Sequence, residues 1–160
     1  SNNFDISTNI SFSKNKNIDY KTNFNGEVTD LGDTDISFSP NLISSVGLNY
    51  SPKKDLNISI LNKFVGDQYM SNTESVVSKL GSYSTTDLNF IYSFKKSKYF
   101  NEIIFTAMLN NIFNKEYVSN GYYYTYDDTW SDPNMVTTIE GTGYYPQAKR
   151  NFLIGFTFKL

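Results

Sequence analysis

Apolar and polar residues alternate along most of the chain, with a period of two residues rather than 3.6. Phe4, Ile6, Thr8, Ile10 and Phe12 alternate with polar residues, and the same spacing recurs further along the sequence. Because successive side chains of a strand point to opposite faces of a sheet, this spacing predicts β-strands. It predicts an all-β chain of about seven strands, marked by residues 4–12, 18–24, 46–50, 56–64, 88–94, 103–109 and 152–160.

The connections between these strands alternate regularly in length. Tight turns are predicted around residues 14–16, 51–55 and 95–101, and long polar connections at about 25–41, 65–82 and 112–147. Up-and-down barrels of bacterial outer membranes alternate in this way, with short turns on the periplasmic side and long loops outside the cell. The sequence therefore predicts an antiparallel up-and-down transmembrane β-barrel segment.

Charge follows the same division between short turns and long connections. The long connections are mostly acidic. The short turns contain one acid, Asp55, among seven lysines: Lys14, Lys16, Lys53, Lys54, Lys95, Lys96 and Lys98. We therefore expect a basic rim at one end of the strands and an acidic rim at the other.

The last strand carries a continuous apolar ladder on one face. Its members are Phe152, Ile154, Phe156, Phe158 and Leu160. An apolar strand at the C-terminus is typical of outer-membrane barrels, in which it closes the sheet. We expect this strand to take part in the assembly and closure of the barrel. The mean hydropathy of −0.43 is compatible with a membrane protein of this kind, because half of each strand faces a polar lumen.

Composition excludes several classes of function. The chain has no Cys and no His, which removes disulfides, thiolate chemistry and every scheme that needs imidazole. Phosphate-binding loops and nucleophile elbows are absent from the sequence. A net charge of −2 without a basic patch argues against nucleic acid as a partner. We predict no catalytic residue and no cofactor.

Two groups in the last long connection are candidates for binding. Four acids there, Asp127, Asp128, Asp132 and Glu140, offer oxygen ligands, but their spacing does not match a calcium loop, and we predict no metal site.

The aromatic residues of the same connection are the candidate substrate-binding side chains: Tyr122, Tyr124, Tyr126 and Trp130. The alternative is that some of them form the aromatic girdle at the membrane interface. Alternation along an extended strand divides the run between two faces, so both interpretations stay open.

Several motifs resemble one known family. Residues 109–126 (LNNIFNKEYVSNGYYYTY) and 143–160 (GYYPQAKRNFLIGFTFKL) resemble the C-terminal end of TonB-dependent outer-membrane receptors. Residues 61–72 (LNKFVGDQYMSN) and 80–94 (LGSYSTTDLNFIYSF) resemble segments further upstream in those receptors. The family usually ends on an aromatic residue, and Leu160 departs from that pattern. The composition, rich in Asn, Tyr and Lys, is most similar to receptors from Bacteroidetes-type bacteria.

The resemblance implies a larger protein than this chain. Such receptors have twenty-two barrel strands and an N-terminal plug domain, so residues 1–160 would be the C-terminal part of the barrel, with the plug and the remaining strands elsewhere. It implies active uptake of a scarce solute, with iron–siderophore as the default class ahead of haem, cobalamin or oligosaccharide. The implied partners are outer-membrane lipid, the receptor's own plug and missing strands, the TonB complex and the barrel-assembly machinery. The C-terminus would lie on the periplasmic side.

Two other interpretations stay open at this stage. The chain could be a complete small barrel of about eight strands with a structural or adhesive role, if an eighth strand lies within residues 112–147. It could also be a soluble β-sandwich that acts as a binding module.

Overall fold

A computed structural model describes residues 3–95 and 99–160 of the chain. Nearly all regular structure in it is β, with a single 3₁₀ turn at Val76–Ser78 among the described residues. The strands are β1 (Phe4–Phe12), β2 (Lys16–Phe24), β3 (Glu27–Asp35), β4 (Leu42–Lys53), β5 (Leu56–Val65), β6 (Gln68–Tyr69), β7 (Lys79–Leu80), β8 (Tyr83–Lys95), β9 (Glu102–Asn110), β10 (Val118–Asp128), β11 (Thr137–Pro146) and β12 (Asn151–Lys159).

Six of these strands form one antiparallel sheet, the wall sheet, in the order β1-β4-β5-β8-β9-β12. The other strands form three two-stranded ribbons, β2–β3, β6–β7 and β10–β11. The wall strands are 9 to 13 residues long, which suits tilted strands that cross the hydrocarbon layer of a bilayer.

In the described part of the chain, no helix is long and apolar enough to cross a membrane.

The register of the wall sheet brings apolar residues from all six strands together on one face. One row of directly paired residues shows this: Phe4, Tyr50, Ile58, Phe90, Ala107 and Ile154. The adjacent row on the opposite face is polar in four strands, with Asp5, Asn49, Ser59 and Asn89, and apolar in the last two, with Met108 and Leu153. A slip of one residue between any two strands would mix the two faces. The strand pairing therefore produces one continuous apolar surface.

No other part of the described chain covers this apolar face. Ile6 is 62% exposed, Phe12 78% and Phe152 74%. The buried apolar side chains of the described residues lie elsewhere. Val65 is the last residue of β5, and Met70 and Leu80 belong to the connection between β5 and β8. A soluble sandwich would bury its apolar face against a second sheet. The exposed apolar face of the wall sheet is instead suited to an apolar environment.

The wall has six strands rather than the predicted seven, because β2 belongs to a ribbon. β2 pairs with β3, not with β1. Residues 13–15 do not reverse the chain: the N–H of Ser13 donates to the carbonyl of Asn41, and that of Ile36 to the carbonyl of Asn15. The ladder between β1 and β4 thus continues beyond the wall sheet as the ribbon β2–β3.

All three long connections follow this design. The ribbons β6–β7 and β10–β11 likewise continue the strand pairs β5–β8 and β9–β12 after short interruptions. Short and long connections therefore alternate along the wall sheet, as predicted. The extra strands inside residues 112–147 pair with each other and add nothing to the wall sheet. Among the described residues, β1 pairs only with β4, and β12 only with β9, so the sheet is open.

This topology corrects the predicted division of charge. Lys14 and Lys16 lie at the end of the long connections, where Lys16 forms ion pairs with Asp35 and Glu74. That end is acidic overall: the connections 13–41, 66–82 and 111–150 contain 12 acidic and seven basic side chains. Lys53 and Lys54 lie at the opposite end, together with the end of β12. Lys96 and Lys98 fall outside the described residues, as does the Lys95 side chain.

A charge on the apolar face should destabilise the protein far more than the same charge on the polar face. Ile60, in the middle of β5, faces the apolar side, and its neighbour Ser59 faces the polar side. We expect Ile60→Arg to lower the free energy of unfolding by about 2–4 kcal/mol and Ser59→Arg to change it by much less. Urea unfolding in lipid vesicles measures both, and equal losses would contradict the assignment of faces.

Candidate functional site

The first ribbon, β2–β3, ends in a turn that is encoded by two adjacent residues of the sequence. Asn25 and Gly26 have φ angles of +53° and +78°, as the two central residues of a type I′ hairpin turn require. Asn-Gly is the preferred pair for this turn, because both residues tolerate the left-handed region. The dipeptide is the sequence signal that identifies β2 and β3 as a hairpin.

Hydrogen bonds connect the tip of the first ribbon to the third ribbon, β10–β11. The N–H of Asn25 donates to Oγ1 of Thr138 at 2.7 Å, and the N–H of Thr138 donates back to Oδ1 of Asn25 at 2.8 Å. A Cβ on Gly26 would lie 3.3 Å from Cβ of Val136, so the two backbones approach closely. These reciprocal bonds connect segments 113 residues apart in the sequence.

The middle connection, between β5 and β8, is hydrogen-bonded to the connection between β1 and β4. The N–H of Ser37 donates to Oδ1 of Asn72, and that of Phe38 to the carbonyl of Tyr69, both at 2.8 Å. Nζ of Lys16 lies 2.8 Å from Asp35 and 3.3 Å from Glu74. The hydrogen bond to Asp35 is the main reason why the pKa of Lys16 is raised, so this ammonium stays charged at neutral pH.

The middle connection also packs against the third ribbon, where Met70 lies over Gly121. A Cβ on Gly121 would lie 2.6 Å from Sδ of Met70, so a larger residue at Gly121 would separate the two segments. The hydroxyl of Tyr144 also donates to the carbonyl of Val77 at 3.3 Å. The three connections therefore form one cluster.

The three connections enclose a cleft of about 570 Å³. This volume lies within the range of small-molecule sites. We name it the loop cleft; its lining residues are Tyr20, Thr22, Asn23, Phe24, Thr29, Leu31, Ser37, Met70, Ser71, Asn72, Thr73, Ser75, Tyr123, Thr125 and Glu140. Hydroxyl and amide groups predominate among them.

A tyrosine and a glutamate form the strongest polar pair of the loop cleft. The hydroxyl of Tyr123 donates to Oε1 of Glu140 at 2.5 Å. Partial burial, followed by the interaction with Glu140, raises the pKa of Tyr123 above its usual value of 10.0. The phenol is therefore neutral at physiological pH. Tyr123 belongs to the aromatic run that the sequence analysis considered but not to the four predicted binding residues, because only the register of β10 shows which tyrosines face the cleft.

The predicted aromatic residues lie on the other face of the third ribbon. The rings of Tyr122 and Tyr124 cover Gly143 and Gly141, which are their direct cross-strand partners. A Cβ on either glycine would come within 2.3 Å of the ring above it. The two tyrosines stack with a centroid distance of 6.2 Å. Rings that cover glycines in this way shield an otherwise bare backbone.

The other two predicted aromatic residues are more exposed. Tyr126 follows on the same face of β10 as Tyr122 and Tyr124. Trp130, at the tip of the ribbon, is 90% exposed. None of the four predicted residues lines the loop cleft, and a role for them in substrate binding stays a prediction.

The four acids of the third connection each have a partner within the loop. Asp127 accepts from Thr138 at 2.7 Å, and Asp132 accepts from the N–H of Asn134 at 2.9 Å. Asp128 accepts from Ser131, whose hydroxyl bond is the main cause of the lowered pKa of Asp128. Among residues 3–95 and 99–160, no three potential metal ligands are grouped as a metal ion would require.

A buried asparagine connects the wall sheet to the third ribbon. Asn111, which is 4% exposed, has a φ of +51°. Its N–H donates to Oδ1 of Asp87, its Oδ1 accepts from the N–H of Lys115, and its Nδ2 donates to the carbonyl of Lys115, all at 2.8 Å. These residues belong to the motifs at 109–126 and 80–94, so the motifs encode the exit of the chain from the wall sheet.

The predicted closing strand is the outer strand β12. Phe152, Ile154, Phe156 and Phe158 lie on the apolar face, directly opposite apolar residues of β9. Leu160 follows the end of β12 and is 91% exposed. A role for this ladder in closure or assembly stays a prediction.

Comparison with known proteins shows similarity in structure alone. No family profile and no curated protein matches the sequence. The crystal structure of the ferric citrate transporter FecA in its unliganded form matches 96% of this chain with a TM-score of 0.62 and 14% identity. That of the siderophore receptor PiuA from Acinetobacter baumannii matches 98% with a TM-score of 0.61 and 16% identity.

The comparison shows the fold of the chain. Its wall sheet and ribbons correspond to a segment of an outer-membrane receptor barrel, which confirms the predicted antiparallel up-and-down transmembrane class. The chain covers 20% of each of these two solved chains. It therefore spans about a fifth of their length.

Removing the side chain of Asn25 should release the third ribbon from the first. We expect Asn25→Gly, which keeps the left-handed turn accessible, to speed hydrogen exchange at the amide of Thr138 about tenfold, as the loss of one hydrogen bond predicts. Asn25→Ala should add the cost of a left-handed alanine. Exchange followed by mass spectrometry measures both, with the amide of Asn111 as the internal control. Unchanged exchange at Thr138 would exclude the bridge.

Proposed function

We propose that this chain is the C-terminal barrel segment of a TonB-dependent outer-membrane receptor that takes up an iron–siderophore. The observation that carries the proposal is the structural match over nearly the whole chain to two outer-membrane proteins, a ferric citrate transporter and a siderophore receptor. The motifs of residues 61–72, 80–94, 109–126 and 143–160 support it, since they follow the order expected for that family. The segment would supply wall and loops, with no catalytic residue.

The proposal includes partners and an orientation. Lipid would cover the apolar face of the wall sheet, and the long connections would lie outside the cell. The C-terminus would then lie on the periplasmic side, because β12 ends beside the start of β9, at the end of the short turns. The plug, the missing strands and the segment that binds TonB would be parts of the same receptor. A source among Bacteroidetes-type bacteria stays a prediction.

The two outer strands distinguish a receptor segment from a self-contained small barrel. In lipid, an unpaired strand edge needs another strand, and a receptor would provide it from its missing barrel strands. In a self-contained barrel, β1 would pair with β12 of the same chain.

Engineered cysteines test this pairing, since the chain has none of its own. Ser7→Cys combined with Thr157→Cys should not form an internal disulfide in the membrane-embedded protein. Thr106→Cys with Gly155→Cys, which are direct partners on β9 and β12, should form one. Gel mobility without reductant measures both, and an efficient bridge between residues 7 and 157 would favour the small barrel.

Uptake of radioactive iron tests the transport function. Iron-starved cells that express the intact receptor should accumulate ⁵⁵Fe from ferric siderophores, and accumulation should stop when either the receptor or TonB is deleted. Uptake that is indifferent to both deletions would contradict the proposal. The amount of receptor in the outer membrane, measured on gels, controls for expression.

A further inference from the structure

The loop cleft contains very little charge for its size. Glu140 is the only Asp or Glu among its lining residues, and no Lys or Arg is among them. The remaining polar groups are hydroxyls and amides, for example those of Thr73, Thr125 and Asn72. Such groups donate to and accept from neutral oxygen and nitrogen atoms.

The cations near the cleft are already paired with acids. Lys16 lies between Asp35 and Glu74, at 2.8 and 3.3 Å. Lys21 is 3.5 Å from Asp30, on the facing strand of the first ribbon. An anionic ligand would have to compete with these carboxylates for the ammonium groups.

The third cation, Lys79, is also held away from the cleft. Its Nζ lies 2.5 Å from Asp67, and this pair lowers the pKa of Asp67. The three connections together carry 12 acidic against seven basic side chains. Their summed field therefore repels anions.

The apolar lining completes the description of a suitable ligand. Phe24, Leu31 and Met70 line the cleft beside the polar groups, so it can contact hydrocarbon as well as oxygen atoms. The hydroxyl of Tyr123 donates to Glu140 and also interacts with the hydroxyls of Thr73 and Ser75, so it is held in place within the lining.

We propose that the loop cleft binds an electrically neutral ferric chelate of the tris-hydroxamate type and discriminates against anionic chelates. This inference rests on the proposed function. Three hydroxamates, each with one negative charge, neutralise Fe³⁺, whereas three catecholates with two charges each leave a complex of net charge −3. A neutral chelate offers oxygen acceptors and hydrocarbon arms but no net charge, as the lining requires.

Binding by the intact receptor tests the preference directly. A neutral ferric tris-hydroxamate should bind at least tenfold more tightly than a ferric tris-catecholate or ferric citrate, measured with ⁵⁵Fe-labelled chelates on purified receptor.

A charge introduced into the cleft tests its role in discrimination. Thr125→Lys adds a cation to the lining and should strengthen binding of the tris-catecholate about tenfold. Thr129→Lys, at the exposed tip of the same ribbon, adds the same charge outside the lining and should change binding less than twofold. Heat-modifiable migration on gels confirms that each variant is folded.

The outcomes separate this inference from the proposed function. Tighter binding of an anionic chelate by the unmodified receptor, or equal effects of the two lysine variants, would overturn the inference and leave iron uptake intact. Binding of a neutral oligosaccharide and of no ferric chelate would overturn both. A preference for the neutral chelate that Thr125→Lys alone reduces would support the inference.

Discussion

Backbone hydrogen bonding is the constraint on which this structure depends. In hydrocarbon there is no water to satisfy an N–H or a carbonyl, so each wall strand needs a partner along its whole length. Among the described residues, the four inner wall strands have antiparallel neighbours on both sides, whereas β1 and β12 each have one. The register of this pairing brings apolar side chains of all six strands together on one face. One set of hydrogen bonds thereby supports both the wall sheet and its lipid-facing surface.

The sequence predicted the parts of the fold that depend on period and chain direction. Alternation located all six wall strands, from residues 4–12 to 152–160, because burial of one face in lipid imposes a strict period of two. It misplaced β2, whose alternation is equally regular, because a ribbon above the membrane also has two faces. The dipeptide Asn25-Gly26, with both residues at positive φ, is the local signal of a hairpin that the sequence analysis did not use.

The candidate site was harder to predict, for a geometric reason. In a run of consecutive tyrosines, one residue of register decides which rings face a cleft, and that register depends on bulges and on glycines far along the chain. Tyr122 and Tyr124 lie over Gly143 and Gly141, so Tyr123 faces the loop cleft. The contacts of Asn25 with Thr138 and of Ser37 with Asn72 connect distant segments, and no local pattern encodes them.

The bridge between Asn25 and Thr138 has a mechanical consequence for the whole segment. The ribbons that it joins arise from β1 and β12, the two outermost strands of the wall sheet, and the connection at 66–82 lies between them. Ribbons rooted at opposite edges of a sheet can meet only if the sheet curves or the ribbons bend toward each other. The middle segment, residues 66–82, contacts both ribbons. A displacement of this segment would therefore move both outer strands together.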